Sequence, residues 1–275
     1  MSSQLVWFVT GISSGIGKEL VEKLLVAGQK VAGTTRKSSS INIPENPNFL
    51  LIECDLKTEA GIVSALAATV QKFGRLDVVV NNAAFVTFGT NEEISDKELR
   101  DLMEINFFAP MTVNRVALGY LRPQRSGLIY NISSMAGFTP VKCWGTYNAA
   151  KFALSGVTES LSQEVSEFGV RVCSVNPGFF RTPIHDTHPH SEKTIEEYNS
   201  KKFILDLYKD RDTRPFGSTA KLCDLMIELA LDPNSKIPLQ LFTGVDAYEW
   251  VKARMDRMVK DMSDNEHRTT TTLLE

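Results

Sequence analysis
"VTGISSGIG", residues 9–17, decides how the rest of the chain is read. The apolar run "LVWFVT" (5–10) leads into it, and the helical pattern "GKELVEKLLVA" (17–27) follows it. Glycines at 11, 15 and 17 let the backbone turn tightly and let a diphosphate approach the helix N-terminus, where free N–H groups favour anions. Three glycines alone more often mark a tight turn than a nucleotide site. The strand before and the helix after shift the balance to a dinucleotide.

The same alternation continues outward from that turn. "KVAGTT" (30–35), "FLLIEC" (49–54), "LDVVVN" (76–81), "GLIYNIS" (127–133) and "VRVCSVN" (170–176) are nearly continuous apolar runs, as parallel strands covered on both faces require. Helical patterns lie between and after them, at 59–73, 95–120, 147–168, 218–231 and 245–262. The expected fold class is α/β: a Rossmann-type doubly wound parallel sheet with helices on both faces, in a single domain over residues 1–262. Residues 184–216 are polar and irregular and read as a substrate-binding loop or lid, and the tail 263–275 as disordered.

Composition narrows the function. The 275 residues are 43% hydrophobic and 23% charged, with a net charge of -3, so one core is affordable and no basic footprint for nucleic acid or an anionic membrane exists. No apolar run is long enough to span a bilayer, and "MSSQLVWFVTG" lacks the pattern of a secretory signal. A cytoplasmic protein with reduced thiols at Cys54, Cys143, Cys173 and Cys223 is the expectation. "NIS" at Asn131 matches a glycosylation sequon but carries little weight without such a signal. "HDTHPH" (185–190) reads as surface loop, and no metal is expected.

"TYNAAKFAL" (146–154) sets Tyr147 and Lys151 one helical turn apart, on the same face. Such a pair is most often a packed, solvated one. A free phenol ionises near a pKa of about 10, too high for proton exchange at neutral pH, and a fixed ammonium beside it would lower that value.

Further stretches decide between these readings. "TGISSGIG" (10–17) resembles the cofactor turn of the short-chain dehydrogenase/reductase superfamily. In family order follow "CDL" (54–56), "NNAA" (81–84), "EINFFAP" (104–110), "NISSMAG" (131–137), "YNAAK" (147–151) and "NPGFFRTP" (176–183). Ala84 stands where the family pattern has glycine, which adds one methyl group. The motifs cover about two thirds of the chain; the remainder is similar only in general.

The resemblance implies an oxidoreductase with Asn106, Ser134, Tyr147 and Lys151 as its catalytic set. Tyr147 would be the general acid/base, its pKa lowered by the Lys151 ammonium together with the positive charge of oxidised nicotinamide; Lys151 would also hold the nicotinamide ribose, and Asn106 would brace a water relaying protons to Lys151. Ser134 lies thirteen residues before Tyr147, the family separation, and Ser133 fourteen; alternation on a strand lets only one face the substrate, and Ser134 is chosen. Cofactor contacts are implied for Gly11, Ser13, Ser14, Gly15, Ile16 and Gly17 in the turn, and for Asp55 and Leu56 beside the adenine. Asn82, Ala83, Tyr147, Lys151, Pro177, Gly178 and Thr182 would complete the set.

The choice of nicotinamide rests on the end of the second strand. NAD-binding folds place there an acidic residue for the ribose hydroxyls; here "VAGTTRKS" puts Thr35 at that position, followed by Arg36 and Lys37. Without a carboxylate to repel it, a 2′-phosphate can be gripped by Arg36, so NADP(H) is expected rather than NAD(H). Phe85, Trp144, Phe179 and Phe180 would build an apolar pocket, so the expected substrate is a small hydrophobic ketone or aldehyde, or the corresponding alcohol. Cys143 could line it, without activation as a nucleophile. The family resemblance implies a homodimer or homotetramer through helices 95–120 and 147–168. The alternative is a non-catalytic NADP-binding regulatory protein on the same scaffold, whose usual mark, a lost tyrosine, lysine or serine, is missing here.

Overall fold
Side chains alternate along β1 (Val6–Thr10): Trp7 and Val9 enter one core and Phe8 the opposite one, as a strand covered on both faces requires. In the computed structural model, which describes residues 4–182, 189–209 and 216–272, β1 lies within a seven-stranded parallel sheet. Its partners are β2 (Lys30–Thr35), β3 (Phe49–Glu53), β4 (Val78–Asn81), β5 (Gly127–Ile132), β6 (Val170–Pro177) and β7 (Gln240–Thr243). The order is β3-β2-β1-β4-β5-β6-β7.

Two helical layers cover the sheet. On one face α1 (Gly15–Val26) and α7 (Thr219–Leu231) pack Leu20, Leu24, Met226 and Ile227 against Trp7 and Val9. On the other, α2 (Glu59–Phe73), α4 (Ala109–Gln124) and α5 (Gly145–Val165) bring Ile62, Leu66, Val113, Ala117 and Leu161 around Phe8, Val79 and Ile129. Each such fully buried side chain contributes roughly 1.5–3 kcal/mol of transfer free energy. This is the doubly wound α/β architecture expected from the alternation. The order reverses direction between β1 and β4, which opens a crevice at the carboxyl ends of those strands.

A polar network threads the second core. Asn81 Nδ2 donates to Asn114 Oδ1 (2.7 Å) and Asn131 Oδ1 (2.8 Å), and Asn131 Nδ2 donates to Thr158 Oγ1 (2.9 Å). These side chains belong to β4, α4, β5 and α5, so the network locks together the elements whose ends carry the site. Asn131 has no exposed surface, so its sequon is inaccessible in the folded chain.

The chain departs from expectation in three places. Residues 95–120 are not one helix: α3 (Asp96–Met103) opens on a Ser95/Glu98 capping box, a π-helical turn occupies Glu104–Phe108, and α4 then runs on to Gln124. The tail is not disordered from residue 263: α8 (Val245–Thr269) continues into it, and residues 273–275 lie outside the described residues. A Lys260–Asp264 ion pair and the Asn265 amide, which donates to the Asp261 carbonyl at 2.8 Å, support those extra turns. Of the segment 184–216, residues 184–188 and 210–215 lie outside the described residues. Its remainder contains a short 3₁₀ turn, Glu196–Tyr198, and α6 (Ser200–Tyr208).

Asn131→Ala removes the central member of the buried network and leaves Asn81 Nδ2 with Asn114 alone and the Thr158 hydroxyl with only its bond to the Leu154 carbonyl. It should lower the unfolding free energy by about 2–4 kcal/mol in urea titrations, against a near-zero change for an exposed asparagine such as Asn234.

Candidate active site
The turn after β1 is shaped by backbone that only glycine tolerates well. Gly11 has φ +71° and Gly15 φ +59°, both in the left-handed region. A Cβ on Gly11 would stand 2.7 Å from Ala83 Cα, and one on Gly17 would stand 2.4 Å from Asn82 Nδ2. Asn82 clamps the turn: its Nδ2 donates to the Thr10 and Gly11 carbonyls, both at 2.9 Å. Thr10 Oγ1 in turn accepts the amides of Asn82 (3.0 Å) and Ala83 (3.1 Å). Ser14, which precedes α1, makes no side-chain cap, so the first-turn N–H groups keep their capacity for an anion.

From this turn a cleft of about 1040 Å³ runs along the carboxyl edge of the sheet. Gly11, Ser13, Ser14, Gly15 and Ile16 line one end, with Arg36, Asp55 and Leu56 beside them. Asn82 and Ala83 form its floor, and Tyr147, Lys151, Pro177, Gly178 and Thr182 line the far end. Two expected residues do not reach it. Gly17 serves the packing of α1 against Asn82 instead. Asn106 is buried in the π-helical turn, where its Nδ2 donates to the Phe85 carbonyl (2.8 Å) and its Oδ1 accepts the Phe85 amide (3.3 Å). Its side chain fixes the loop that carries Phe85.

At the far end the two serines point as alternation demands. Ser133 Oγ turns inward, donating to the Lys151 carbonyl at 3.0 Å and sharing a hydrogen bond with Ser155 Oγ at 2.9 Å. Ser134 Oγ accepts the Ala136 amide at 3.1 Å and hydrogen-bonds the Tyr147 phenol. Lys151, only 2% exposed, donates through Nζ to the Ile132 carbonyl (2.9 Å) and lies 5.6 Å from the centre of the Tyr147 ring. Tyr147, Ser134 and Lys151 therefore share one apolar-walled corner.

The electrostatics differ from what the pair's spacing implies. Burial pushes the Tyr147 phenol up to about 12, and the Ser134 hydrogen bond only partly opposes this. Burial also pushes the Lys151 ammonium down to about 7. Removal from water outweighs the mutual help the two groups give each other. Without the positive charge of oxidised nicotinamide that the expectation of a lowered tyrosine pKa included, the phenol stays protonated, which is the state a proton donor needs.

Aromatic rings enclose the corner. The Trp144 indole stands edge-on to Tyr147 with centroids 5.8 Å apart and stacks on Tyr208 at 6.5 Å. Phe179 meets Trp144 at 6.1 Å and Tyr208 at 5.9 Å, both edge-on. Phe85, Phe180 and Met135 add further apolar lining. Cys143 sits behind this wall at φ +63°, its thiol pushed up by burial, so it is no activated nucleophile. Of "HDTHPH", residues 185–188 lie outside the described residues; His190 packs against Phe88 with ring centres 6.1 Å apart.

A family model described as short chain dehydrogenase matches residues 5–193. The chain belongs to the short-chain dehydrogenase/reductase family. It is 36% identical over 194 residues to a 3-ketodihydrosphingosine reductase of Bacteroides thetaiotaomicron, covering 70% of each chain. Over 219 residues it is 34% identical to 15-hydroxyprostaglandin dehydrogenase (NAD(+)) of Rattus norvegicus, covering 74% of this chain and 79% of that one. The crystal structure of a short-chain dehydrogenase from Streptomyces avermitilis is similar at a TM-score of 0.86 with 30% identity, covering 98% of this chain and all of that one.

As a short-chain dehydrogenase/reductase, the chain is an oxidoreductase, and its site holds residues that sequence reading alone did not single out. Tyr208 reaches the corner from α6, and nothing in the local sequence announces it. Glu93, 1% exposed, ties that wall down: Oε1 accepts the Ile195 amide and the Ser200 hydroxyl, both at 2.9 Å, and Oε2 accepts the Thr90 amide at 2.8 Å. Against the opposing effect of burial, those donors hold its carboxyl down to about 2. Asp246, in the first turn of α8, accepts the Phe179 amide at 2.6 Å and so fixes the segment after Pro177 and Gly178. Apart from Thr90, the named partners of Glu93 and Asp246 lie 67 to 107 residues away, beyond any local pattern.

The buried ammonium has a measurable signature. Because the folded pKa of Lys151 lies below its unfolded value, the fold carries the full penalty below about pH 7 and sheds it as pH rises toward the unfolded pKa of about 10.5. Lys151→Met should therefore have a higher Tm than the parent at pH 6, and the gap should shrink between pH 7 and pH 10. A gap that stays constant across that range would contradict the depressed pKa.

Proposed function
We propose that this protein is an NADP(H)-dependent reductase of hydrophobic ketones or aldehydes, reversible as an alcohol dehydrogenase. The observation that carries this reading is the Tyr147 phenol hydrogen-bonded to Ser134 beside the buried Lys151, at the end of a cleft that begins on a glycine turn. The cleft fits a dinucleotide: the glycine cradle has no room for a Cβ, and the N-terminus of α1 is uncapped by a side chain. The dinucleotide, when bound, would supply or accept the hydride at the Tyr147 end.

The chain's own residues then perform the proton chemistry. Ser134 donates a hydrogen bond that orients and polarises the substrate carbonyl. Tyr147 gives its proton to the carbonyl oxygen as negative charge develops there, and takes one back in the oxidative direction. Lys151 holds positive charge beside the phenol, lowering the cost of the phenolate that remains, and its Nζ is placed to grip ribose hydroxyls. Asn106 acts through position, bracing the loop that carries Phe85. Trp144, Phe179 and Tyr208 exclude water and favour an apolar substrate over a charged one. Of 184–216, α6 contributes to the outer wall of this pocket through Tyr208.

Arg36 supports NADP(H). It is exposed at the end of β2 and lines the cleft, while Thr35 occupies the position where a carboxylate would repel a 2′-phosphate. The nearest acidic residue in the sheet register, Glu53, accepts the Ser38 amide at 2.9 Å. The relative named for NAD(+) shows that family membership alone does not choose the cofactor. A homodimer or homotetramer through α4 and α5 remains the expected assembly. No described helix is long and apolar enough to cross a membrane.

Two measurements test the reading. With a panel of hydrophobic ketones, kcat/KM with NADPH should exceed that with NADH by at least tenfold, and Arg36→Ala should collapse the ratio toward one; equal use by the parent would sink the assignment of Arg36. Tyr147→Phe should cut kcat by about 10²–10⁴ while NADPH binding, followed by fluorescence, stays near the parental Kd. Retained NADPH binding with no turnover of any carbonyl by the parent would favour the regulatory alternative.

A further inference from the structure
Glu93 is a buried carboxylate that the proton chemistry leaves unused. It stands where two stretches of chain meet: the segment after β4, whose Val86 and Phe88 line the cleft, and the described segment 189–208, whose Tyr208 lines it too. Backbone joins the two at one end. The Phe88 amide donates to the Pro189 carbonyl at 2.7 Å, and the Phe88 carbonyl accepts the Ser191 amide at 2.8 Å. Beyond Ser191, carboxylates do the joining. Glu98 accepts the Glu192 amide and Glu92 accepts the Tyr198 phenol, both at exposed positions where water competes for the same groups. The Glu93 carboxylate is out of that competition, and its bonds to the Ile195 amide and the Ser200 hydroxyl are charge-assisted.

The place of α6 depends on those bonds. Asn199, at φ +50°, gives the helix no side-chain cap, and the Ser200 hydroxyl that follows is tied to Glu93 Oε1. A negative charge there also favours a helix N-terminus. Further along, Ile204 and Tyr208 pack into the apolar cluster that holds Phe88, Trp144 and Phe179. Apolar burial is non-directional, so it does not fix how far the helix slides or turns on that cluster. Hydrogen bonds are directional, and here they hold the start of a helix whose last residue, about 12 Å on at 1.5 Å per residue, is Tyr208. The Tyr208 ring stands 6.1 Å from Phe88 and 6.5 Å from Trp144, so its place sets the width of the cavity beyond Tyr147.

We propose that Glu93 is a positioning residue for substrate size: by pinning the first turn of α6 it fixes Tyr208, and so the space open to the part of a hydrophobic ketone that extends past Tyr147. This role rests on the reductase reading. Glu93→Gln sets an amide NH2 group against at least one of the donors that Glu93 now satisfies, and Ser200→Ala removes only the tie to α6. Ser200→Ala keeps the buried carboxylate and its two backbone donors, so it carries the test where Glu93→Gln does not fold. Each variant should raise KM for benzylacetone by about tenfold or more, with kcat and the Kd for NADPH within about twofold of the parent. KM for butanone, which leaves the far part of the cavity empty, should move by less than about twofold. Amides of residues 195–208 should exchange hydrogen faster than in the parent, while those of α5 keep the parental rate. Unchanged exchange in 195–208 overturns this role, as does a fall in kcat with KM unmoved, or an equal rise in KM for both ketones. A parent that reduces neither ketone, with exchange responding as expected, overturns the reductase reading and the size role together, leaving Glu93 as the pin of α6.

Discussion
Everything at the cleft depends on how two parallel strands are joined at the point where the sheet changes direction. β1 and β4 are neighbours there, and each ends in polar backbone that must find partners. Asn82 supplies them for β1, with one amide nitrogen serving two carbonyls, while the Thr10 hydroxyl receives the amides that follow β4. The fit leaves no space for a side chain at Gly11 or Gly17. That tightness shapes the glycine turn and leaves α1 starting with its N–H groups toward the cleft.

At the other end of the cleft the dominant effect is removal from water. Lys151 and Tyr147 share a helical face, Lys151 buried and Tyr147 half-buried against the Trp144 ring, and burial pushes each toward its neutral form. With the phenol protonated and the Lys151 ammonium titrating near neutral pH, a small added positive charge weighs heavily there. The substrate wall is held by a different carboxylate, Glu93, which is so fully hydrogen-bonded that it stays ionised while buried. Burial thus favours the neutral forms of Tyr147 and Lys151 while Glu93 stays charged, and the number of donors facing each group decides which outcome holds.

Much of this was legible along the chain because it is periodic or local. Continuous apolar runs located six of the strands to within two residues, and the Tyr147/Lys151 spacing placed both side chains on one face of α5. The choice of Ser134 over Ser133 followed from strand alternation alone once a family separation was supplied. Three features were illegible for a common reason. The π-helical turn at Glu104–Phe108 answers to the Phe85 backbone, Tyr208 arrives from a helix in an irregular segment, and α8 extends as far as Thr269 into the polar tail that suggested disorder. Each is fixed by a partner distant in sequence or by side-chain pairing along a helix.

By itself, the sequence determined the parallel α/β architecture, through periodicity of 2 and 3.6, and the strand–glycine turn–helix order that suits a dinucleotide; the expected proton-transfer residues came from the family resemblance, since the Tyr147/Lys151 spacing alone gives only a shared helical face. Tertiary structure alone decided the protonation of Tyr147 and Lys151 and the shape of the aromatic wall. Those properties depend on how much water each group loses and on which donors close around it. Both are set only when segments far apart in the chain come together.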